Sequence, residues 1–110
     1  MMYTVVKRVE IAGAHQLKLP YPSKCSRVHG HNWIIEVTLK SETLDENGMV
    51  LDFSKIKDVV KQLDHTYIND VMGDINPTAE NMAKWICDRL PHCVRVAVRE
   101  SEGNLAIYEK

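Results

Sequence analysis

Over residues 2–12, Thr4, Val6 and Arg8 alternate with Val5, Lys7 and Val9, and this β-branched stretch predicts a strand. Residues 13–31 hold Gly13, Pro20, Pro22, Ser23 and Gly30, so they predict a loop region with little regular structure. From Asn32 to Lys40 the alternation is cleaner: Trp33, Ile35, Val37 and Leu39 share one face, while Glu36, Thr38 and Lys40 share the other, interrupted by Ile34. Asp45-Glu46-Asn47-Gly48 is a turn signal, followed by the short apolar run Met49-Val50-Leu51. The period then changes. Asp52 has the character of an N-cap, because Ile56, Val59, Val60 and Leu63 follow at helical spacing. A second helix is predicted from Pro77-Thr78, with Ala79, Met82, Ala83, Ile86 and Leu90 on its apolar stripe and Pro91 as its stop. Two strands near Val94–Arg99 and Leu105–Tyr108 close the chain, joined through Glu102-Gly103-Asn104. The order β-β-α-α-β-β predicts an α+β fold, a four-stranded antiparallel sheet with two helices on one face. Four strands leave two open edges, which oligomerisation would cover.

Composition narrows the class. The chain has 110 residues, 45% hydrophobic and 26% charged, which suits one globular domain over residues 1–110. A formal charge of -1 argues against nucleic acid held by bulk positive charge. No apolar run approaches the ~18 residues of a membrane helix, and the first residues carry no basic segment leading into an apolar one, so no signal peptide is expected. Cys25, Cys87 and Cys93 form no C-x-x-C and cannot all pair, which points to a reducing compartment, the cytoplasm.

His29-Gly30-His31 is the first candidate for chemistry. Residues two apart in extended chain point the same way with Cα atoms about 6.6 Å apart. Two such imidazoles can converge on one ion at Zn–N distances of about 2.0–2.1 Å. An antiparallel neighbour strand can deliver His15 to the same spot. Three nitrogen ligands with a fourth position open is the layout of a catalytic zinc; the competing reading is three unrelated surface histidines. Cys25 lies four residues before His29, between Lys24 and Arg27. Nearby cations or a metal would favour a thiolate base or nucleophile, yet an inert loop cysteine or a fourth zinc ligand fits the spacing equally. Cys87 and Cys93 fit apolar packing. Asp64-His65 follows Leu63 and could form a proton shuttle, although adjacent helical residues project about 100° apart and a helix-end histidine is the simpler reading. Glu100 could accept two parallel N–H donors from a heterocyclic amine, or simply face solvent.

Together these residues resemble the 6-pyruvoyltetrahydropterin synthase superfamily. Ala14-His15-Gln16-Leu17 precedes Cys25-Ser26-Arg27-Val28-His29-Gly30-His31, similar to the C-x-x-x-H-G-H signature of that family. Gly48 to Phe53, Leu63 to Asn69, Asn76 to Glu80 and Val98 to Ser101 follow in the family's order, so the resemblance covers nearly the whole chain. The length and the Asp52-Phe53 pair look most like the bacterial 6-carboxy-5,6,7,8-tetrahydropterin synthases of queuosine and 7-deazapurine synthesis. The resemblance implies a T-fold, barrels built from trimers stacked into hexamers, and active sites at subunit interfaces. It also implies 7,8-dihydroneopterin triphosphate as substrate. His15, His29 and His31 would hold zinc, which binds the side-chain hydroxyls and acidifies adjacent C–H bonds. Cys25 would be the general base, Asp64 and His65 of a neighbouring subunit the proton relay, and Glu100 the anchor of the pterin ring. Triphosphate leaves; in the carboxy branch the side chain is then cleaved to release acetaldehyde, and in the pyruvoyl branch it is kept. A non-catalytic zinc-stabilised oligomer is the rival from another class. Gln16 stands where the family frequently has arginine.

Overall fold

The first two strands run further than the hydrophobic alternation alone predicts. In a computed structural model describing residues 1–110, β1 spans Tyr3–His15 and β2 spans His29–Ser41. The segment expected to be one long loop is therefore cut to residues 16–28, and His15, His29 and His31 all lie on strands. The reason is local. Gly13 and Gly30, which read as loop residues, lie within paired strands, and Gly13 sits where the backbone is crowded: a Cβ there would lie 2.9 Å from Ile68 Cδ1 and 3.2 Å from the Leu63 carbonyl.

Helix α1 (Phe53–Lys61) begins as expected, with the Asp52 carboxylate accepting the Ser54 N–H. β3 (Thr66–Tyr67) and α2 (Ile68–Met72) follow, then α3 (Ala79–Asp88) capped by Thr78, β4 (Cys93–Glu100) and β5 (Asn104–Glu109). Helix α2 and strand β3 were not expected, so the molecule has three helices and five strands where the sequence predicted two and four. The sheet order is β3-β1-β2-β4-β5. All pairings are antiparallel except the two-residue contact of β3 with Gly13 and Ala14, which is parallel.

Alternation decides which face is buried. Val9 and Ile11 of β1, Trp33, Ile35, Val37 and Leu39 of β2, and Val96 and Val98 of β4 form one continuous core with Ile56 and Val60 of α1, Ile68 of α2, and Met82 and Ile86 of α3. All helices thus cover one face of the sheet, as predicted. Burying one such side chain contributes about 1.5–3 kcal/mol. Cys87 and Cys93 belong to this core, and burial pushes the Cys93 thiol up to about 12. The opposite face stays open, and so do the outer edge of β5 and most of the outer edge of β1.

Candidate metal centre

Strand register assembles the three histidines. β1 and β2 pair so that His15 faces His29 across the ladder and Gly13 faces His31. Because side chains alternate along a strand, His29, His31 and Trp33 share the buried face. The imidazole centroids are 4.5 Å (His15–His29), 4.9 Å (His29–His31) and 5.3 Å (His15–His31) apart. One ligand nitrogen from each lies within 4.8 Å of the other two. Trp33 stands edge-on to His15 at 4.9 Å and to His31 at 5.0 Å, and its indole N–H donates to the Gly13 carbonyl. The rings are packed into place, and only His15 is fully buried.

The outer nitrogens fix the tautomers. His15 Nδ1 is 2.8 Å from the Pro77 carbonyl and His29 Nδ1 is 2.7 Å from the Arg27 carbonyl. A carbonyl only accepts, so each Nδ1 carries the hydrogen and each Nε2 keeps its lone pair. His31 Nδ1 lies 3.3 Å from Ser101 Oγ. Nε2 of His15 and Nε2 of His31 are buried with no hydrogen-bond partner. Burial holds the pKa of both rings below the usual histidine value, so the neutral, ligand-competent form is favoured. Glu100 adds a carboxylate to the same space: Oε1 is 3.3 Å from His31 Nε2 and Oε2 3.9 Å from His15 Nε2. The His15 Nε2 lone pair faces this carboxylate, and a cation between them would be held by both. The residues fit a metal ion, and the all-nitrogen donor set suits zinc among others.

A pocket of about 570 Å³ is joined to the histidines through Glu100 and lined by Cys25, Glu100, Tyr21, Thr78, Glu80 and Leu105 among others. Cys25 sits on a short 3-10 turn, Lys24–Ser26, whose start is capped by Ser23 Oγ accepting the Cys25 N–H at 3.1 Å. Its thiol is not part of the ligand-nitrogen cluster. Glu100, read from the sequence as a ring acceptor or a solvent-facing residue, both lines this pocket and reaches the imidazoles.

Asp64 and His65 are placed elsewhere. Asp64 Oδ1 accepts the Ala12 N–H at 2.9 Å and lies 3.0 Å from His65 Nδ1, while Oδ2 is 3.2 Å from Lys61 Nζ. The Ala12 N–H is the largest cause holding the Asp64 carboxyl down at about 2. The two side chains meet despite being adjacent because His65 adopts φ +55° beyond the end of α1; the helix-end reading gives way to a carboxylate-bound histidine. The His65 side chain is 83% exposed on a shallow depression that His31 also lines, with Gly13, Ala14 and Asn32, outside the pocket that holds Cys25. Within one chain, then, His15, His29, His31 and Glu100 come together, Cys25 shares a pocket with Glu100, and Asp64 and His65 lie outside that pocket. Sequence reading missed Trp33, Ser101 and the Pro77 and Arg27 carbonyls. Only Trp33 had left a signal, its place in the His29–His31–Trp33 alternation.

Several known proteins are similar to this chain. A 6-carboxy-5,6,7,8-tetrahydropterin synthase of Bacillus subtilis is 33% identical over 120 aligned positions, covering 93% of this chain and 82% of that protein. One from Synechocystis is 39% identical, covering 81% and 75%. A dihydroneopterin monophosphate aldolase of Pyrococcus furiosus is 36% identical, covering 82% and 76%. The solved structure of Caenorhabditis elegans 6-pyruvoyl tetrahydropterin synthase superposes with a TM-score of 0.78 over 100% of this chain and 96% of that one, at 24% identity, and shares its fold. Residues 4–110 match the family described as 6-pyruvoyl tetrahydropterin synthase, and the chain belongs to that family.

Proposed function

We propose that the protein is a zinc-dependent lyase that converts 7,8-dihydroneopterin triphosphate to 6-carboxy-5,6,7,8-tetrahydropterin, releasing triphosphate and acetaldehyde, as a step of queuosine and 7-deazapurine synthesis. The observation that carries this reading is the cluster of His15, His29 and His31, reached by Glu100, which shares a pocket with Cys25. Relatives named as carboxy-forming synthases at 33% and 39% identity support the product.

His15, His29 and His31 would hold the zinc through Nε2. When bound there, it supplies a Lewis acid toward the substrate's side-chain hydroxyls. Cys25, as thiolate, removes a proton from the side-chain carbon. Glu100 accepts N–H donors of the pterin ring. Asp64 keeps His65 oriented for proton transfer, and because the pair lies outside the pocket of its own chain it would serve a neighbouring subunit, in a trimer-based hexamer. The uncovered edges of β1 and β5 support such an assembly. Three free cysteines suit a cytoplasmic enzyme.

The nearest alternative is the same elimination without side-chain cleavage, giving 6-pyruvoyltetrahydropterin; the family description supports it. The similarity to the Pyrococcus furiosus aldolase favours a test with dihydroneopterin monophosphate alongside. Mass spectrometry of products after incubating zinc-loaded protein with each substrate separates the three. 6-Carboxytetrahydropterin with acetaldehyde is the expected result. A pyruvoyl product, or turnover of the monophosphate alone, would replace the proposed reaction. Absence of turnover in protein that retains zinc would favour a non-catalytic, zinc-stabilised oligomer.

A further inference from the structure

We propose that Gln16 is a positioning residue that holds the Cys25 turn against the strands carrying the metal ligands; this rests on the reading of Cys25 as the general base. Gln16 follows His15 directly, where β1 ends and backbone pairing stops. Asparagine side chains take over there as if they were a further strand. Asn69 accepts the Gln16 N–H at 2.9 Å and donates to the Gln16 carbonyl at 2.8 Å. Asn76 does the same for Lys18, at 2.9 and 3.1 Å. The backbone of residues 16–18 is therefore fixed, and the Gln16 side chain leaves it in a defined direction.

That side chain bridges two parts of the structure. Nε2 donates to the Ser26 carbonyl at 2.7 Å, and the Tyr67 hydroxyl donates to Oε1 at 3.1 Å. The amide orientation follows from chemistry, since a carbonyl can only accept and the Ser26 oxygen must face the NH₂ group. The next residue's backbone N–H, that of Leu17, donates to the Cys25 carbonyl at 2.9 Å. Two consecutive carbonyls of the turn, Cys25 and Ser26, are thus tied to two consecutive residues after β1. The following carbonyl, Arg27, is the one that fixes His29 Nδ1. One carboxamide sets the placement of the thiol and borders the acceptor that sets a ligand tautomer.

Gln16→Glu keeps the shape but presents a carboxylate oxygen to the Ser26 carbonyl, replacing a hydrogen bond by repulsion. Gln16→Met keeps the length and removes both bonds. The test uses the full chain loaded with zinc. The rate of Cys25 alkylation by iodoacetamide is read by peptide mass spectrometry, with buried Cys87 and Cys93 as internal references, beside zinc content and kcat and KM for 7,8-dihydroneopterin triphosphate. Both variants are expected to raise the Cys25 alkylation rate several-fold. They are expected to lower kcat by about 10- to 100-fold, the scale of a misplaced catalytic group, with KM and zinc content within about twofold of the unmodified protein. Unchanged alkylation and kcat in either folded variant would overturn the proposal, as would loss of zinc, which would make Gln16 a support of the metal site instead. If the unmodified protein turns over neither pterin substrate, the synthase reading fails, and the alkylation rates still decide whether Gln16 holds the turn.

Discussion

At the scale of single residues, the proposed site divides its labour between groups that hold and a group that reacts, and the two can be told apart. His15 and His29 have their tautomers set by backbone carbonyls, and Cys25 stands outside the nitrogen cluster. His29→Ala is therefore expected to reduce zinc per chain severalfold, read by elemental analysis after dialysis. Cys25→Ala is expected to keep its zinc while losing at least ~10²-fold in turnover, the usual scale for a general base; zinc loss in Cys25→Ala would make the thiol a ligand. Asp64 gives a pH prediction. Its carboxyl titrates at about 2 in the fold, below the ordinary value near 3.9. A depressed acid stabilises the fold above its unfolded value and loses that contribution as pH falls toward its folded value. Asp64→Ala, which also leaves the Ala12 N–H without its partner, should cost about 1–3 kcal/mol at pH 7. In urea titrations the gap from the unmodified protein should narrow between about pH 4 and pH 2. The ligand set was legible because H-x-H in an extended segment is a statement about direction. The Asp64–His65 contact was not, because nothing in the residue types announces φ +55° at His65.

At the scale of elements, strand ends decide whether the site exists. Gly13 sits where β1 passes Leu63 and Ile68, and a methyl group there would meet Ile68 Cδ1 at 2.9 Å. Gly13→Ala should destabilise the protein by about 1–3 kcal/mol through this overpacking, read as a lower Tm. If Tm is unchanged, the crowding at Gly13 is relieved by movement of Ile68. The same glycine explains what the sequence hid. Glycines in a loop-like stretch look like punctuation, yet Gly13 and Gly30 lie inside paired strands, so β1 and β2 were expected to stop short of the histidines they carry. Helix α2 escaped notice because five residues make no periodic stripe and no side chain caps its start. Strand β3 is two residues long and owes its existence to tertiary pairing with β1. By contrast α1, α3, β4 and β5 each carried a cap or an alternation long enough to read.

At the scale of the whole molecule, the sheet is left with two open edges. β5 has no outer partner, and β3 covers only Gly13 and Ala14 of β1. If copies assemble along these edges and lend Asp64 and His65 to one another, two inactive chains should repair each other. Equal mixing of Cys25→Ala and His65→Ala chains, dissociated and reassembled, should restore about a quarter of the sites, since one combination in four is intact in a ring of identical interfaces. Sedimentation velocity should show a hexamer in the same sample. No recovery in a reassembled mixture would place both residues in the service of one chain. The pairing of His15 with His29 has a consequence of another kind. All three imidazoles are held by the register of two strands, whereas the thiol belongs to the thirteen residues, 16–28, that join them. A socket set by the ladder survives the re-cutting of residues 16–26 so long as the Arg27 carbonyl that holds His29 stays in place, so new reactivity could be written onto this scaffold by exchanging that segment alone.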